Sequence, residues 1–228
     1  FHMQFNHENF IVRTFAPQVT QGMVSDRVEL FLRLSRAAQE TGHPYWAWRF
    51  AAWALHYYQD LTQPYHSRAV PHGNARYYAN FVISGEKPRI QKETTQLVAN
   101  RHFAYEDFVS TSLYNYYRTQ DQLSVRLCRN LSEGEVFFRS ARTPDDLTRI
   151  VSSFAADHAE HIDRAIVFAF GPRMTEDPAY DLETDPAYSI TKVVSGMKPQ
   201  QADALLLETG KDFTMAGRAT RTVMMLAK

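Results

Sequence analysis

Apolar positions along this chain recur mostly at helical rather than alternating spacing, and the residues between them are those that start and stop helices. In "SDRVELFLRLSRAAQETG", Val28, Leu30, Phe31, Leu34 and Ala37 fall at helical intervals, with Ser25 as N-cap and Gly42 as stop. "HPYWAWRFAAWALHYYQDLTQP" follows, with Pro44 near its first turn. It is apolar around most of its circumference, a pattern that predicts a helix buried in the middle of a domain. Pro64 removes a backbone donor, and its ring would clash with the carbonyl of Asp60, so this helix should kink or stop there.

"HSRAVPHGN" reads as a loop and "ARYYANFVISG" as a short helix. The chain after Pro88 reads as helical through "LYNYYR", in one piece or two. Further helices are predicted over 121–131, 144–169, 198–209 and 213–227. The intervening "GPRMTEDPAYDLETDPAYS" repeats Asp177-Pro-Ala-Tyr180 as Asp185-Pro-Ala-Tyr188, which reads as turn chemistry within a long loop. Few segments alternate as strands do. The expectation is an all-α fold, a single multi-helix domain over residues 1–228.

Composition agrees: 228 residues, 44% of them apolar and 13% aromatic, are enough for a substantial core. Twenty-five basic residues balance 25 acidic ones, which leaves no electrostatic footprint for duplex nucleic acid. Cys128 is the only cysteine, so an intrachain disulfide and a four-cysteine zinc site are both excluded. Arg126 and Arg129 beside it would lower the thiol pKa, but no partner base is in evidence, and Cys128 reads as structural. No apolar run reaches bilayer-spanning length, and "FHMQFNHENF" is not a signal peptide.

The candidate chemistry lies in the histidines, nine in all. Residues four apart on a helix lie about 40° apart around its axis. His56 and Asp60 therefore share one face, and His102 and Glu106 repeat the relation on another helix. His66 follows the break at Pro64 and need not stay on the face of His56. Imidazoles and carboxylates among aromatic residues are costly to desolvate without a compensating partner such as a divalent ion. Either pair alone is more often an ordinary surface pair. A further cluster, Asp157, His158, Glu160 and His161, reads as a solvated helix face in preference to another metal site.

His56-x-x-x-Asp60-x-x-x-Pro64-x-His66 followed by His102-x-x-x-Glu106 resembles the zinc-dependent phospholipase C family, which belongs with the S1/P1 nucleases. "QETGHPYWAWRFAAWALHY", "ALHYYQDLTQPYH" and "FTMAGRATRTVMMLAK" extend the resemblance over most of the chain. It implies an all-α fold with two or three zinc ions clustered in a cleft. Carried over by position, His56 and Asp60 hold one ion, Asp60 bridges to a second, and His66, His102 and Glu106 hold the third. His7 matches an upstream ligand histidine, with His2 as the fallback.

Departures from the family pattern are specific. Nothing before His7 matches the family's amino-terminal tryptophan, the ligand histidine after it or its upstream aspartate, and Glu8 matches that aspartate poorly. Either this part of the family domain precedes Phe1, which is the expectation, or this member has a reduced site. The segment between His66 and His102 is also longer than in bacterial phospholipases.

The resemblance further implies phosphodiester hydrolysis by zinc-bound water, with zinc lowering the water's pKa and clamping the phosphoryl oxygens. The implied substrate is a glycerophospholipid, split into diacylglycerol and a phosphorylated head group. Peripheral membrane contact and a secreted or periplasmic bacterial location go with it. The aromatics of "NARYYANFVISG" and residues 113–118 are candidates for a head-group pocket or lipid contact, against ordinary core packing. Arg68 and Arg76 are candidate phosphate contacts. One rival is an S1/P1-type single-strand nuclease or 3'-nucleotidase, a branch that usually has aspartate where Glu106 stands and, when secreted by eukaryotes, uses disulfides. The other is a non-catalytic helical binding protein with structural histidines.

Overall fold

The computed structural model describes residues 3–17 and 22–227. Among these residues there is no strand, and the chain is all-helical. The helices are α1 (Phe10–Phe15), α2 (Val24–Glu40), α3 (Pro44–Leu61), α4 (Pro64–Ser67), α5 (Ala75–Ile83), α6 (Lys87–Arg118) and α7 (Gln122–Arg129). A 3-10 turn, Asn130–Ser132, precedes α8 (Pro144–Phe170), α9 (Pro172–Thr175), α10 (Ile190–Gly196) and α11 (Pro199–Leu226). Two compact units are distinguished: Phe1–Ala69 with Arg129–His158 and Lys211–Lys228, and Val70–Cys128 with Ala159–Gly210.

The first unit is built on an apolar core. Val24, Val28 and Leu32 of α2 meet Ala54, Tyr58 and Leu61 of α3, with Leu147 and Val151 of α8 and Met215, Ala219 and Val223 of α11. Spacings of three and four place each set on one helix face. The α2–α3 turn is set by Gly42, whose φ of +78° is open to glycine at little cost. The His43 N–H then reaches back to the Ala38 carbonyl at 2.8 Å, the six-to-one bond of a Schellman cap. Pro44 follows as the first helical residue of α3, where its missing N–H costs nothing. Ser35 Oγ donates to the Ala47 carbonyl at 2.8 Å, and Tyr58 Oη to the Pro144 carbonyl at 2.8 Å, tying α3 to its neighbours on both sides.

In the second unit, buried polar contacts hold α6. Arg101 Nη1 lies 2.8 Å from Asp163 Oδ2 of α8, and its Nε donates to the Thr175 carbonyl at 2.8 Å. Asn100 Nδ2 donates to the Tyr180 carbonyl at 2.8 Å, and its Oδ1 accepts from the Leu182 N–H at 3.1 Å. These bonds pin the loop after α9. Both copies of its Asp-Pro-Ala-Tyr repeat form the turns their sequence predicts, with Asp177 Oδ1 accepting from Ala179 N–H and Asp185 Oδ1 from Ala187 N–H.

Several boundaries differ from those the periodicity predicts. Met23, not Ser25, is the N-cap of α2. The helical stretch after Pro88 is one helix of 32 residues. The two carboxy-terminal helices are a single α11, which continues through the buried Gly210. A helical glycine costs only about 1 kcal/mol relative to alanine, less than burial of the flanking apolar turns returns. The short α1, α9 and α10 carry too little periodicity to be seen in advance. The full burial predicted for α3 does not occur: its inner seam is buried, but Tyr45, Trp46, Trp48 and Trp53 are 40–64% exposed.

Candidate functional site

The inner seam of α3, Ala47, Ala51, Ala54, Tyr58 and Leu61, repeats at intervals of four and three. That register leaves His56 and Asp60 one turn apart on the outer side. His56 Nε2 lies 3.4 Å from Asp60 Oδ2, with the imidazole 54% and the carboxylate 22% exposed. The Tyr57 ring sits edge-on to His56, with centroids 5.8 Å apart.

Beyond Leu61 the chain breaks as Pro64 requires. Gln63 caps α4, its Oε1 accepting from the Tyr65 N–H at 2.9 Å. The backbone of His66 is pinned on both sides: its N–H donates to the Gln63 carbonyl at 2.9 Å, and its carbonyl accepts from the Gln4 N–H at 2.8 Å. Its side chain is buried. The buried carboxylate of Glu8 accepts the Ala69 N–H, and Arg68 Nη1 donates to the Ala156 carbonyl at 3.3 Å. Arg68 thus serves the local fold, while Arg76 is exposed.

His7 is exposed, and its Nε2 lies 3.0 Å from Ser152 Oγ. It does not form a three-donor group with His56 and Asp60 among the described residues. His2 lies outside the described residues.

In the second unit, α6 places His102 Nε2 2.8 Å from Glu106 Oε1. Here the imidazole is the shielded partner, 15% exposed against 44% for the carboxylate. Phe103 stacks against the His102 ring at 5.7 Å and 12°. Asn100 and Arg101, immediately before the pair, are the anchors of the polar network, so the rotation of α6 about its axis is set within one turn of His102.

His72, in the loop before α5, has a buried Nδ1 with no hydrogen-bond partner among the described residues. Burial lowers its pKa, the Arg101 guanidinium lowers it further, and Asp163 opposes both. No spacing in "HSRAVPHGN" singles this residue out. His158 is buried, with Nε2 3.6 Å from Asp212 Oδ1, which corrects the solvated face predicted for its cluster. Glu160 and His161 do face outward, both within reach of Arg164. Burial pushes the Cys128 thiol up, with Asp121 adding to the effect, so its flanking arginines do not activate it. Tyr78 is buried, whereas Tyr114, Tyr116 and Tyr117 are exposed.

The donors fit zinc in type, imidazole nitrogen and carboxylate oxygen. Bonds of about 2.0–2.1 Å around a tetrahedral ion separate neighbouring donors by roughly 3.3 Å. The His56–Asp60 spacing of 3.4 Å already matches this value. The 2.8 Å His102–Glu106 contact is a hydrogen bond that would open slightly to admit an ion. His66 on α4, and the His102–Glu106 pair on α6, each offer donors of the kind zinc takes.

The chain is 27% identical over 100 residues to phospholipase C of Listeria monocytogenes serovar 1/2a. The matched region is 44% of this chain and 27% of the length of that protein. No family model matches, and no solved structure matches.

Proposed function

We propose that the chain is a zinc-dependent phosphodiester hydrolase, a phospholipase C that splits glycerophospholipids into diacylglycerol and a phosphorylated head group. The observation that carries this reading is the His56–Asp60 pair, held by the register of α3 at the donor spacing of a zinc ion. The His102–Glu106 pair and the similarity to a phospholipase C support it. The proposed ligands are His7, His56, Asp60, His66, His102 and Glu106, for two or three ions, with Asp60 bridging. Zinc there supplies a nucleophile at neutral pH and neutralises charge on the phosphoryl oxygens. The protein's own part is orientation. The α3 seam aims the first pair, two backbone bonds hold the main chain of His66, and the Arg101 network sets the angle of the second pair.

Zinc analysis of the purified protein should find at least two ions per chain, and phosphatidylcholine should be hydrolysed. Asp60→Asn should lower the rate at least about 100-fold, the upper range for loss of outer-shell support to a metal, with helix content unchanged. Full activity in that variant would refute the ligand assignment. Hydrolysis of single-stranded DNA and not of phosphatidylcholine would move the chain to the nuclease reading.

A further inference from the structure

All three tryptophans of the protein, Trp46, Trp48 and Trp53, lie on α3, and each is at least 40% exposed. Trp46 and Trp53 belong to a continuous aromatic strip. Ring centroids follow one another from Tyr45 to Trp46 at 5.5 Å, to Phe50 at 5.9 Å, to Trp53 at 5.5 Å and to Phe31 of α2 at 5.4 Å. Rings braced in this way are held outward while the opposite face of α3 already fills the core. Large exposed apolar patches of this kind mark interaction surfaces.

From these observations we infer that the outer face of α3 docks on a zwitterionic phospholipid surface. The inference deepens the phospholipase reading and rests on it for the identity of the substrate. Two features select lipid. Trp and Tyr combine an apolar body with a polar edge and concentrate at the head-group level of bilayers. The strip carries one cation, Arg49, whose guanidinium lies 5.7 Å from the Trp53 ring centre, and α3 has no acidic residue before Asp60. Tyr45, Arg49, Trp53, His56 and Asp60 succeed one another at intervals of four, four, three and four, so the docking strip and the proposed metal pair occupy one row of one helix. Among the described residues no helix is long and apolar enough to cross a membrane.

Because every tryptophan lies on this helix, tryptophan emission reports on it alone. Phosphatidylcholine vesicles with brominated acyl chains, added with and without EDTA, should shift the emission to the blue and quench it in both conditions. The variant Tyr45→Ser/Trp46→Ser should partition onto the same vesicles about tenfold more weakly. Its hydrolysis of vesicles should fall relative to hydrolysis of dispersed short-chain phosphatidylcholine. Unchanged emission, or co-sedimentation without quenching, would overturn the inference without any variant being made. A blue shift that grows with protein concentration in the absence of lipid would assign the face to a second copy and also overturn it. Quenching with no hydrolysis of either lipid form would sustain docking and defeat the phospholipase reading.

Discussion

Helices α3 and α6 carry the same device, a histidine followed one turn later by a carboxylate, and different forces hold each in register. In α3 an apolar seam with Ala54, Tyr58 and Leu61 in the core turns His56 and Asp60 outward. In α6 the adjoining turn is tied by Asn100 and Arg101 to Asp163 and to backbone groups of the following loops. Shielding is reversed as well: the carboxylate is the more shielded partner on α3, the imidazole on α6. Identical spacing thus delivers the same pair of donors, and tertiary surroundings decide which of them has already lost its water. Apolar seams tolerate small changes of volume, whereas a buried ion pair fails as a unit when one partner is lost.

The largest effect should come from breaking the polar anchor. Asp163→Ala strands the buried Arg101 guanidinium and should cost about 3–5 kcal/mol in urea denaturation. Replacing both residues with apolar ones of similar volume should recover most of it. A loss below about 1 kcal/mol for the single variant would mean that α6 is held by something other than this pair. On the apolar side, Leu61→Ala empties a fully buried site and should cost about 2–5 kcal/mol. It should also loosen the His56–Asp60 end of α3, read as faster amide exchange there. Should exchange accelerate instead across α6, the assignment of separate anchors would be wrong.

Smaller effects sharpen the contrast. Tyr58→Phe removes the hydrogen bond to the Pro144 carbonyl and should cost about 1 kcal/mol while leaving the seam in place. His72 tests the polar side by pH. Its pKa is lowered by burial first and by Arg101 second, so the folded state favours the neutral ring. The unfolded chain then binds the proton more readily, and stability should fall as pH drops from about 6.5, the ordinary histidine value, toward the lowered folded value. His72→Gln should flatten the dependence of Tm on pH in that window. An unchanged slope would place the acid sensitivity elsewhere.

How much of this was legible in the residues depends on whether the signal was local. Helical periodicity announced α2, α3, α6 and α8, and Pro64 announced the break that separates His66 from Asp60, because both act through neighbouring backbone. The i,i+4 spacing was enough to pair His56 with Asp60 and His102 with Glu106, since a helix has one geometry. The continuity of α11 through Gly210 was not legible, because helix-breaking residues are overruled by packing that a local window does not see. The same limit hid the buried partner of His158, which comes from a helix some fifty residues later in the chain, and the role of His72 beside an ion pair of two other helices.

The sequence by itself determined that the chain is helical, where its main helices lie, and which histidines and carboxylates share a helix face. Those follow from covalent geometry and short-range sterics. Only the tertiary structure decided which side of α3 is dry and which meets solvent. An all-round apolar helix has no preferred inner face until its neighbours supply one, and here α2, α8 and α11 cover the alanine seam and leave the tryptophans outside.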